Sequence, residues 1–276
     1  TLHWDTPRLY SELAEGLKKA VAVEKIETMG IDTWGCDGGF LGPHDEFLGL
    51  PYGYRDFSEE NMNRCIEAFG AERLYEITGI QMISFNTLFQ FYRHIESGNP
   101  LMTAASRYLF TPDLLRYLFT GRTHTEYSIA STSQLLDARR CDWSDEILGQ
   151  LGISRSFLGE IVTPGTVCGK VENTDIDAIA VAGHDTGSAV LSVPSKGGDD
   201  WAWVSSGTWS LIGVEADAPI ITERGRECNF SNEGGVNGTI RYLKNIMGLW
   251  LEQESRRVWR EEGNEYSFED LARMVV

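Results

Sequence analysis

The stretch that most restricts the fold is "TDIDAIAVAGHDTGSAVLSV", residues 174–193. Its first half is an apolar run that suits a buried strand, and its second half suits a short helix. His184 and Asp185 stand at the junction between the two. A buried strand that passes directly into a helix is typical of α/β proteins, whose ligands lie beyond the carboxyl ends of the strands. The stretch therefore predicts an α/β fold with polar groups at a strand end.

The residues alone leave two interpretations of this junction open. An Asp between a strand and a helix is a common N-cap, because its oxygens accept hydrogen bonds from the free amides of the first turn. A single His is likewise more often a structural residue than an acid or a base. The second interpretation is that His184 and Asp185 belong to a functional site. Their position favours it, because α/β proteins carry their ligand-binding and catalytic groups at strand ends.

Composition excludes several classes of protein. The 276 residues include 24 Lys and Arg but 41 Asp and Glu, a formal net charge of −17 that repels polyanions, so we expect no nucleic-acid partner. No apolar run approaches the roughly 20 residues that cross a bilayer, and we expect neither a membrane partner nor a leader. The five cysteines lack a C-x-x-C pair and predict a reduced, cytoplasmic protein. The five histidines lack the spacing of a metal site.

Two parts of the chain are separated by "PSKGGDD", where Pro, Ser and paired Gly precede paired Asp. This composition is typical of a linker. We therefore predict an N-terminal domain over residues 1–193, a linker over 194–200 and the start of a second α/β domain over 201–276.

Several segments of the N-terminal domain have helical patterns. The first begins at a capping Asp5 and is followed by a strand that ends near Asp32. The later segments begin at capping residues or end at glycines. They cover residues 58–70, 85–99, 112–121 and 126–140, the first of these starting at a capping Ser58.

The second domain opens with "WAWVSSGTWSLIGVE", which predicts two strands joined by a turn at residues 205–208. Small residues in such a turn allow backbone amides to approach a phosphate, and Thr208 adds a hydroxyl. The alternative is an ordinary hairpin with Gly207 at positive φ. Further on, we expect Asn245 and Gln253 on one face of a helix, two turns apart, as ligand contacts or as solvated polar residues.

In chain order, several segments together resemble the FGGY carbohydrate kinases, and most closely the members that act on L-rhamnulose. These segments are "GIDTWGCD", "YRD", "GIQMISFNTLFQ", "GHDTGSAV", "SSGTWSLIGVE", "NEGG" and "LKNIMGLWLEQE". The resemblance extends from about Trp4 to Gln253. The resemblance implies an actin-like and RNase H-like ATPase fold of two lobes, with sugar and ATP meeting in the cleft and with the second lobe incomplete in this chain.

The resemblance also implies the chemistry, which is phosphate transfer from MgATP to the 1-hydroxyl of a ketose, L-rhamnulose. ATP, Mg²⁺ and the ketose are then the ligands. Asp185 matches the base that takes the proton of the attacking hydroxyl. The implied sugar contacts are Gly35, His184, Asp185, Thr186 and Asn245. The implied ATP contacts are Thr208 and Gln253. One positioned carboxylate, backbone donors and Mg²⁺ suffice for such a reaction, since phosphoryl transfer depends on positioning and charge neutralisation.

Two departures from the family pattern leave alternatives. The N-terminal phosphate hairpin and the distal glycine-rich adenosine segment of the family have no counterpart in the chain, which favours a sugar-binding fragment or a non-catalytic paralogue as one alternative. Gly38 and Gly39 stand where the family usually has bulkier residues, and we expect them to loosen the wall of the sugar site. The second alternative is accordingly a sister kinase acting on L-fuculose or another ketose.

Overall fold

The computed structural model describes residues 1–195, here called the N-terminal part, and residues 201–275, the C-terminal part. The helices of these residues are α1 (Thr6–Val23), α2 (Glu59–Phe69), α3 (Ala71–Thr78), α4 (Thr87–Glu96), α5 (Leu101–Ala104), α6 (Thr111–Thr120), α7 (Tyr127–Ser131), α8 (Asp145–Leu151), α9 (Arg155–Leu158), α10 (Asp185–Leu191), α11 (Glu223–Glu227), α12 (Trp250–Glu261) and α13 (Phe268–Met274). Most of the predicted linker, residues 196–200, lies outside the described residues.

The strands are β1 (Thr28–Gly30), β2 (Gly38–Leu41), β3 (Arg107–Phe110), β4 (Thr125–Glu126), β5 (Leu136–Asp137), β6 (Asp142–Trp143), β7 (Ile161–Val162), β8 (Val167–Lys170), β9 (Asp177–Ile179), β10 (Trp203–Ser206), β11 (Trp209–Ala216), β12 (Ser231–Gly234) and β13 (Ile240–Met247). One sheet has the order β1-β9-β8, and the sheet of the C-terminal part has the order β10-β11-β13-β12. The pairs β2-β3, β4-β7 and β5-β6 complete the described strands.

Most of the predicted helices are present, and two predictions about them are wrong. The carboxylate of Asp5 accepts from the amide of Arg8 at 3.1 Å and caps α1, as expected. Ser58 does precede α2, but its hydroxyl donates to the side chain of Asn61 instead of capping the helix. The helix predicted over residues 126–140 ends at residue 131, because serine and threonine hydroxyls bond back to main-chain carbonyls there and turn the chain into β5.

The parallel pair β1-β9 carries the strand-to-helix junction. Beyond the paired strands the ladder continues as a bridge between Thr33 and His184. The amide of Thr33 donates to the carbonyl of Gly183 at 2.9 Å, and the amide of Asp185 donates to the carbonyl of Thr33 at 2.8 Å. Helix α10 begins at once, so the predicted strand-to-helix transition is confirmed.

The two described parts are joined through β12. The amide of Gly234 donates to the hydroxyl of Ser131 at 2.7 Å, and the side-chain amide of Asn232 donates to the carbonyl of Gly79 at 2.9 Å. A small apolar cluster around Val190 and Trp203 packs α10 against the sheet of the C-terminal part. The junction at α10 therefore lies between the two parts.

Candidate active site

A cavity of about 570 Å³ lies between the N-terminal and C-terminal parts. Six of the seven residues singled out from the sequence line it, namely Gly35, His184, Asp185, Thr186, Thr208 and Asn245. Its volume falls in the range of sites that hold a small organic ligand. Residues more than 200 positions apart in the chain thus meet in one space, with the junction at α10 on one side and the β10-β11 hairpin on another.

Asp185 is held by its backbone, and its side chain is left exposed. His184 occupies the N-cap position of α10 and Asp185 is the first helical residue, so Asp185 as the N-cap is wrong. Its Oδ1 atom instead accepts from the amide of Thr186 at 2.6 Å. The side chain of Asp185 is 56% exposed, which leaves the carboxylate accessible to a ligand.

The buried carboxylate of Glu126 holds the turn just before Asp185. It accepts from the amide of Gly183 at 2.7 Å, and it also caps α7 by accepting from the amides of Ser128 and Ile129. The hydroxyl of Ser128 accepts in turn from the amide of His184 at 3.3 Å. The backbone of the junction is therefore fixed from the N-terminal part.

The imidazole of His184 is held from the C-terminal part. Its Nδ1 atom lies 3.0 Å from Oε2 of Glu233, and Nη2 of Arg241 lies 3.3 Å from both atoms. Burial raises the pKa of Glu233, but the charges of His184 and Arg241 and hydrogen bonds from His184 and Asn245 outweigh it, so the pKa lies below its ordinary value. Glu233 is thus an ionised carboxylate inside the protein, paired with a buried guanidinium.

Asn245 lies on strand β13 and not on a helix, so the expected helical face shared with Gln253 is wrong. The backbone amide and the side-chain amide of Asn245 both donate to Oε1 of Gln81, each at 3.2 Å. Gln81 precedes α4 in the N-terminal part and also lines the cavity. Asn245 is therefore positioned by sheet pairing and by a contact between the two parts.

The hairpin between β10 and β11 has the predicted turn. Gly207 is not among the glycines with positive φ, and its amide donates to the carbonyl of Trp209 at 2.8 Å, so this amide is engaged within the hairpin. The Thr208 hydroxyl makes no hydrogen bond with the described residues and lines the cavity. Thr208 is accordingly the donor that this turn offers to a ligand.

Helix α12 is attached to the same hairpin. The amide of Leu249 donates to the carbonyl of Gly207 at 2.8 Å, and the amide of Trp250 donates to the carbonyl of Thr208 at 3.2 Å. Gly248 makes this close approach possible, because a Cβ there would lie 2.6 Å from the carbonyl oxygen of Gly207. Gln253 lies in the first turn of α12, is exposed and does not line the cavity.

Aromatic rings form one wall of the cavity. Tyr54 and Phe85 lie edge to face with ring centroids 5.2 Å apart, and Phe85 meets Trp209 in the same way at 5.7 Å. Trp34 lines the cavity beside them and packs on Trp4 at 4.1 Å. The wall therefore continues from the N-terminal part to the hairpin of the C-terminal part.

A buried carboxylate, Asp37, fixes this wall. Its Oδ2 atom accepts from the indole nitrogens of Trp4 at 2.6 Å and Trp34 at 3.1 Å, and from the amide of Tyr54 at 3.0 Å. Burial raises the pKa of Asp37 to about 6, although these hydrogen bonds and one from Gln90 act in the opposite direction. Asp37 thus links two cavity residues, Trp34 and Tyr54, to Trp4 near the start of the N-terminal part.

Gly38 and Gly39 do not loosen the sugar-side wall, and that expectation is wrong. Both are buried in β2, which pairs with β3, and neither lines the cavity. A Cβ on Gly38 would meet the carbonyl of Leu109 at 2.2 Å, and one on Gly39 would meet Leu114 at 2.8 Å. Neighbouring groups already fill the space that larger side chains would occupy.

Sequence reasoning missed Asp37, Gln81, Phe85 and Glu233 as parts of the site. Each lies within a segment that carried the family resemblance, but no local pattern distinguishes it from a core or surface residue. Their roles arise from contacts with distant residues, such as the pairing of Glu233 with His184. Sequence position alone gives no signal for such contacts.

Residues 1–195 and 201–275 contain no group of three His, Cys, Asp or Glu side chains that could hold a metal ion. None of their helices is both long and apolar enough to cross a bilayer. All five cysteines are free thiols, and burial raises the pKa of the cavity residue Cys36 well above its ordinary value.

Comparison with known proteins identifies the family. The model of the FGGY family of carbohydrate kinases, N-terminal domain, matches residues 4–192, and the model of the C-terminal domain of that family matches residues 202–275. A rhamnulokinase from Bacteroides thetaiotaomicron is 43% identical over 270 residues, covering 93% of this chain and 55% of that protein. A rhamnulokinase from Enterococcus faecalis is 41% identical over 282 residues, covering 99% of this chain and 56% of that protein.

Solved structures agree on the fold. The gluconate kinase from Lactobacillus acidophilus superposes with a TM-score of 0.81 at 16% identity, covering 92% of this chain and 53% of that one. This similarity confirms the predicted actin-like α/β fold. The chain spans about half the length of the curated relatives it matches. With both domain models matched in chain order and the cavity between the two parts, the chain belongs to the FGGY family of carbohydrate kinases.

Proposed function

We propose that the protein is an ATP-dependent kinase that phosphorylates the 1-hydroxyl of L-rhamnulose, giving L-rhamnulose 1-phosphate in L-rhamnose catabolism. The observation that carries the proposal is the exposed carboxylate of Asp185 in the same cavity as the Thr208 hairpin. The substrate follows from relatives named rhamnulokinase at about 40% identity. The cytoplasmic location expected from the reduced cysteines is part of the same proposal.

In this proposal Asp185 accepts the proton of the attacking hydroxyl. Its carboxylate is exposed while its backbone is fixed to Thr33, so the base can reach a ligand without moving the helix. The sugar is held by Gly35, His184, Thr186 and Asn245, whose backbone and side-chain groups surround the same cavity. Holding a hydroxyl beside a positioned base supplies much of the catalysis in phosphoryl transfer.

The nucleotide contacts are assigned to the C-terminal part. The Thr208 hydroxyl is the donor for a phosphate, and Gln253 contacts ATP from outside the cavity, since the first turn of α12 is bonded to the Thr208 hairpin. Mg²⁺ commonly binds through one or two carboxylates together with substrate phosphates. Asp185, whose carboxylate is exposed in the cavity, would be such a ligand for an ion that the nucleotide brings. When bound, the ion neutralises phosphate charge.

A panel of ketoses and polyols, assayed for release of ADP from MgATP, tests the proposal. L-rhamnulose should give the highest kcat/KM, with L-fuculose and other ketoses well below it. The assay is run on the 276-residue chain and on its full open reading frame. A higher kcat/KM with L-fuculose or another ketose would identify a sister kinase instead.

Calorimetry on the same samples distinguishes the second alternative. Binding of L-rhamnulose without binding of ATP, and without turnover by either polypeptide, would support a sugar-binding protein. Turnover of ATP by these 276 residues alone would exclude that alternative.

A further inference from the structure

The contact between Gln81 and Asn245 determines which chemical group the cavity offers to a ligand at this point. Strand β12 begins at Ser231, opposite Leu243 on β13, so Asn245 lies beyond the end of β12. The backbone amide of Asn245 donates instead to Oε1 of Gln81 at 3.2 Å. Nε2 of Gln81 lies 3.5 Å from the carbonyl oxygen of Asn245. The carboxamide of Gln81 therefore meets both backbone groups of Asn245, as a neighbouring strand would.

These backbone groups fix the orientation of the Gln81 side chain. A backbone amide only donates hydrogen bonds and a backbone carbonyl only accepts them, so the oxygen of Gln81 has to face the amide of Asn245. Gln81 is 6% exposed. Its own backbone amide donates to the hydroxyl of Ser231 at 3.0 Å, and its carbonyl accepts from the side chain of Asn86 at 2.9 Å. Both the backbone and the carboxamide of Gln81 are thus held in place.

The oriented Gln81 in turn fixes the side chain of Asn245. One terminal atom of the Asn245 side chain lies 3.2 Å from the same Oε1 atom. That atom has to be the nitrogen, because an oxygen there would face the lone pairs of Oε1. The other terminal atom is then the oxygen, Oδ1. It accepts no hydrogen bond from residues 1–195 and 201–275 and is not among their buried unpaired atoms, so it is accessible in the cavity that Asn245 lines.

Glu233 supports the same orientation. Its carboxylate belongs to a residue of the same cavity, and the Asn245 side chain is one of the groups that lower the pKa of Glu233. An NH2 donor lowers the pKa of a neighbouring carboxyl, whereas a carbonyl oxygen does not. Two acceptors, Gln81 and Glu233, therefore suit the nitrogen of Asn245, and Oδ1 is the atom left for a ligand.

We propose that Gln81 is a positioning residue, which turns the side-chain amide of Asn245 so that its oxygen faces the ligand. This inference rests on the proposed function. An oxygen that only accepts hydrogen bonds requires a donor on the sugar, which a hydroxyl supplies and a ketone or ether oxygen does not. The cavity therefore favours a ketose that places a hydroxyl proton at Asn245. In this role Gln81 acts through Asn245.

Neutron diffraction on crystals of the deuterated protein shows the orientation directly, because it locates deuterium atoms. We expect two deuterium atoms on the terminal atom of Asn245 that lies nearest to Oε1 of Gln81, and none on the terminal atom that faces the cavity. The opposite orientation would overturn the proposal. This measurement requires neither a ligand nor a variant.

Analogues of L-rhamnulose distinguish an acceptor from a donor at Asn245. Each hydroxyl other than the 1-hydroxyl is replaced in turn by hydrogen, or by fluorine, which accepts weakly and cannot donate. Calorimetry with the native protein and with Asn245→Leu identifies the position whose alteration costs affinity in the native protein alone. There we expect both analogues to bind about 3- to 10-fold more weakly than L-rhamnulose, the usual contribution of one hydrogen bond. Affinity retained by the fluorine analogue, or no position that depends on Asn245, would overturn the proposal.

Gln81→Met tests the positioning role, with Ser131→Ala as the matched control. Ser131 is a buried residue outside the cavity, and its hydroxyl accepts from the amide of Gly234 across the two parts at 2.7 Å. Each substitution thus leaves one buried backbone amide without its acceptor. Gln81→Met should raise KM for L-rhamnulose by about 3- to 10-fold and change kcat less than about twofold. Ser131→Ala should change both constants less than about twofold, and equal rises in KM would overturn the positioning role.

These measurements separate the inference from the proposed function. If the native chain binds no ketose, the proposed function fails, while the neutron structure still decides how Gln81 orients Asn245. If Gln81→Met does not fold, the neutron structure and the analogues bound to native protein decide the proposal.

Discussion

The amide nitrogen of Asp185 is bonded to the carbonyl oxygen of Thr33 at 2.8 Å, while the Asp185 carboxylate remains exposed to the cavity. The backbone amide of Asp185 thus anchors the residue, while its carboxylate is available to a ligand. A change confined to the carboxylate should leave the β1-β9 ladder and α10 intact, so that activity and stability can be separated at this position.

Asp185→Asn should lower kcat by about 10²- to 10⁴-fold, the usual contribution of a general base. The midpoint of urea unfolding should change little, because the side chain is 56% exposed. The measurements are ADP release, calorimetry with L-rhamnulose and circular dichroism. Asp32→Asn is the control, since Asp32 is an exposed carboxylate at the end of β1 that does not line the cavity. A loss of only a few-fold in Asp185→Asn would argue against its role as the base.

Asp37 should make stability depend on pH. Its pKa is raised from 3.8 to about 6 in the folded protein, so between about pH 4 and pH 6 the folded state binds more protons than the unfolded state. The free energy of unfolding therefore falls as pH rises through this window, by about 3 kcal/mol in total, and is level above it. The difference in unfolding free energy between native protein and Asp37→Asn, measured with urea from pH 4 to pH 8, should show this fall.

Trp4→Phe provides the companion measurement for Asp37. The hydrogen bond from the Trp4 indole lowers the pKa of Asp37, and its removal should extend the falling region to higher pH. A difference in unfolding free energy between the native protein and Asp37→Asn that does not vary with pH would show that this carboxylate does not cause the fall.

Gly248→Ala should separate α12 from the hairpin. The added methyl group would lie 2.6 Å from the carbonyl oxygen of Gly207, so the backbone has to shift, at a cost of about 1–3 kcal/mol in stability. ATP affinity should fall with it, because Thr208 is bonded to the same helix. Gly207→Ala is the control for stability, since a Cβ there would approach only the carbonyl oxygen of Trp209, at 3.7 Å. Urea unfolding compares the two variants, and equal losses of stability would count against the close approach as the cause. Calorimetry with ATP compares Gly248→Ala with the native protein.

Glu126→Gln should destabilise the junction at α10. The amides of Gly183 and Ile129 donate to one oxygen of Glu126 and the amide of Ser128 donates to the other. Gln replaces one of these oxygens by an NH2 group that cannot accept, and each buried amide left unpaired costs about 1–3 kcal/mol. Urea unfolding followed by circular dichroism measures the loss. Glu160→Gln, at an exposed position of the same part, should stay within about 0.5 kcal/mol of the native protein. A Glu126→Gln variant as stable as this control would show that the hydrogen bonds are replaced by others.

Local pattern was sufficient to predict the junction at residues 174–193 and the hairpin at residues 205–208, since each is made by neighbouring residues. It failed for Asn245, because the segment around it has apolar residues compatible with a helix, and pairing with β11 and β12 makes it a strand. It also failed to predict that Gly38 is buried away from the cavity. Tyr108, from a strand distant in the chain, fills the space beside Gly38 that a larger side chain would occupy. The positioning groups of the site, Asp37 and Gln81, depend on contacts across the whole chain.

The aromatic wall gives the cavity an intrinsic optical reporter. Trp34 and Trp209 line it at different places, and the Trp34 indole is both hydrogen-bonded to Asp37 and packed on Trp4. A ligand that displaces water from either ring changes its emission, so binding can be followed by fluorescence without a label. Trp34→Phe and Trp209→Phe would then distinguish a ligand seated beside the N-terminal part from one seated beside the hairpin.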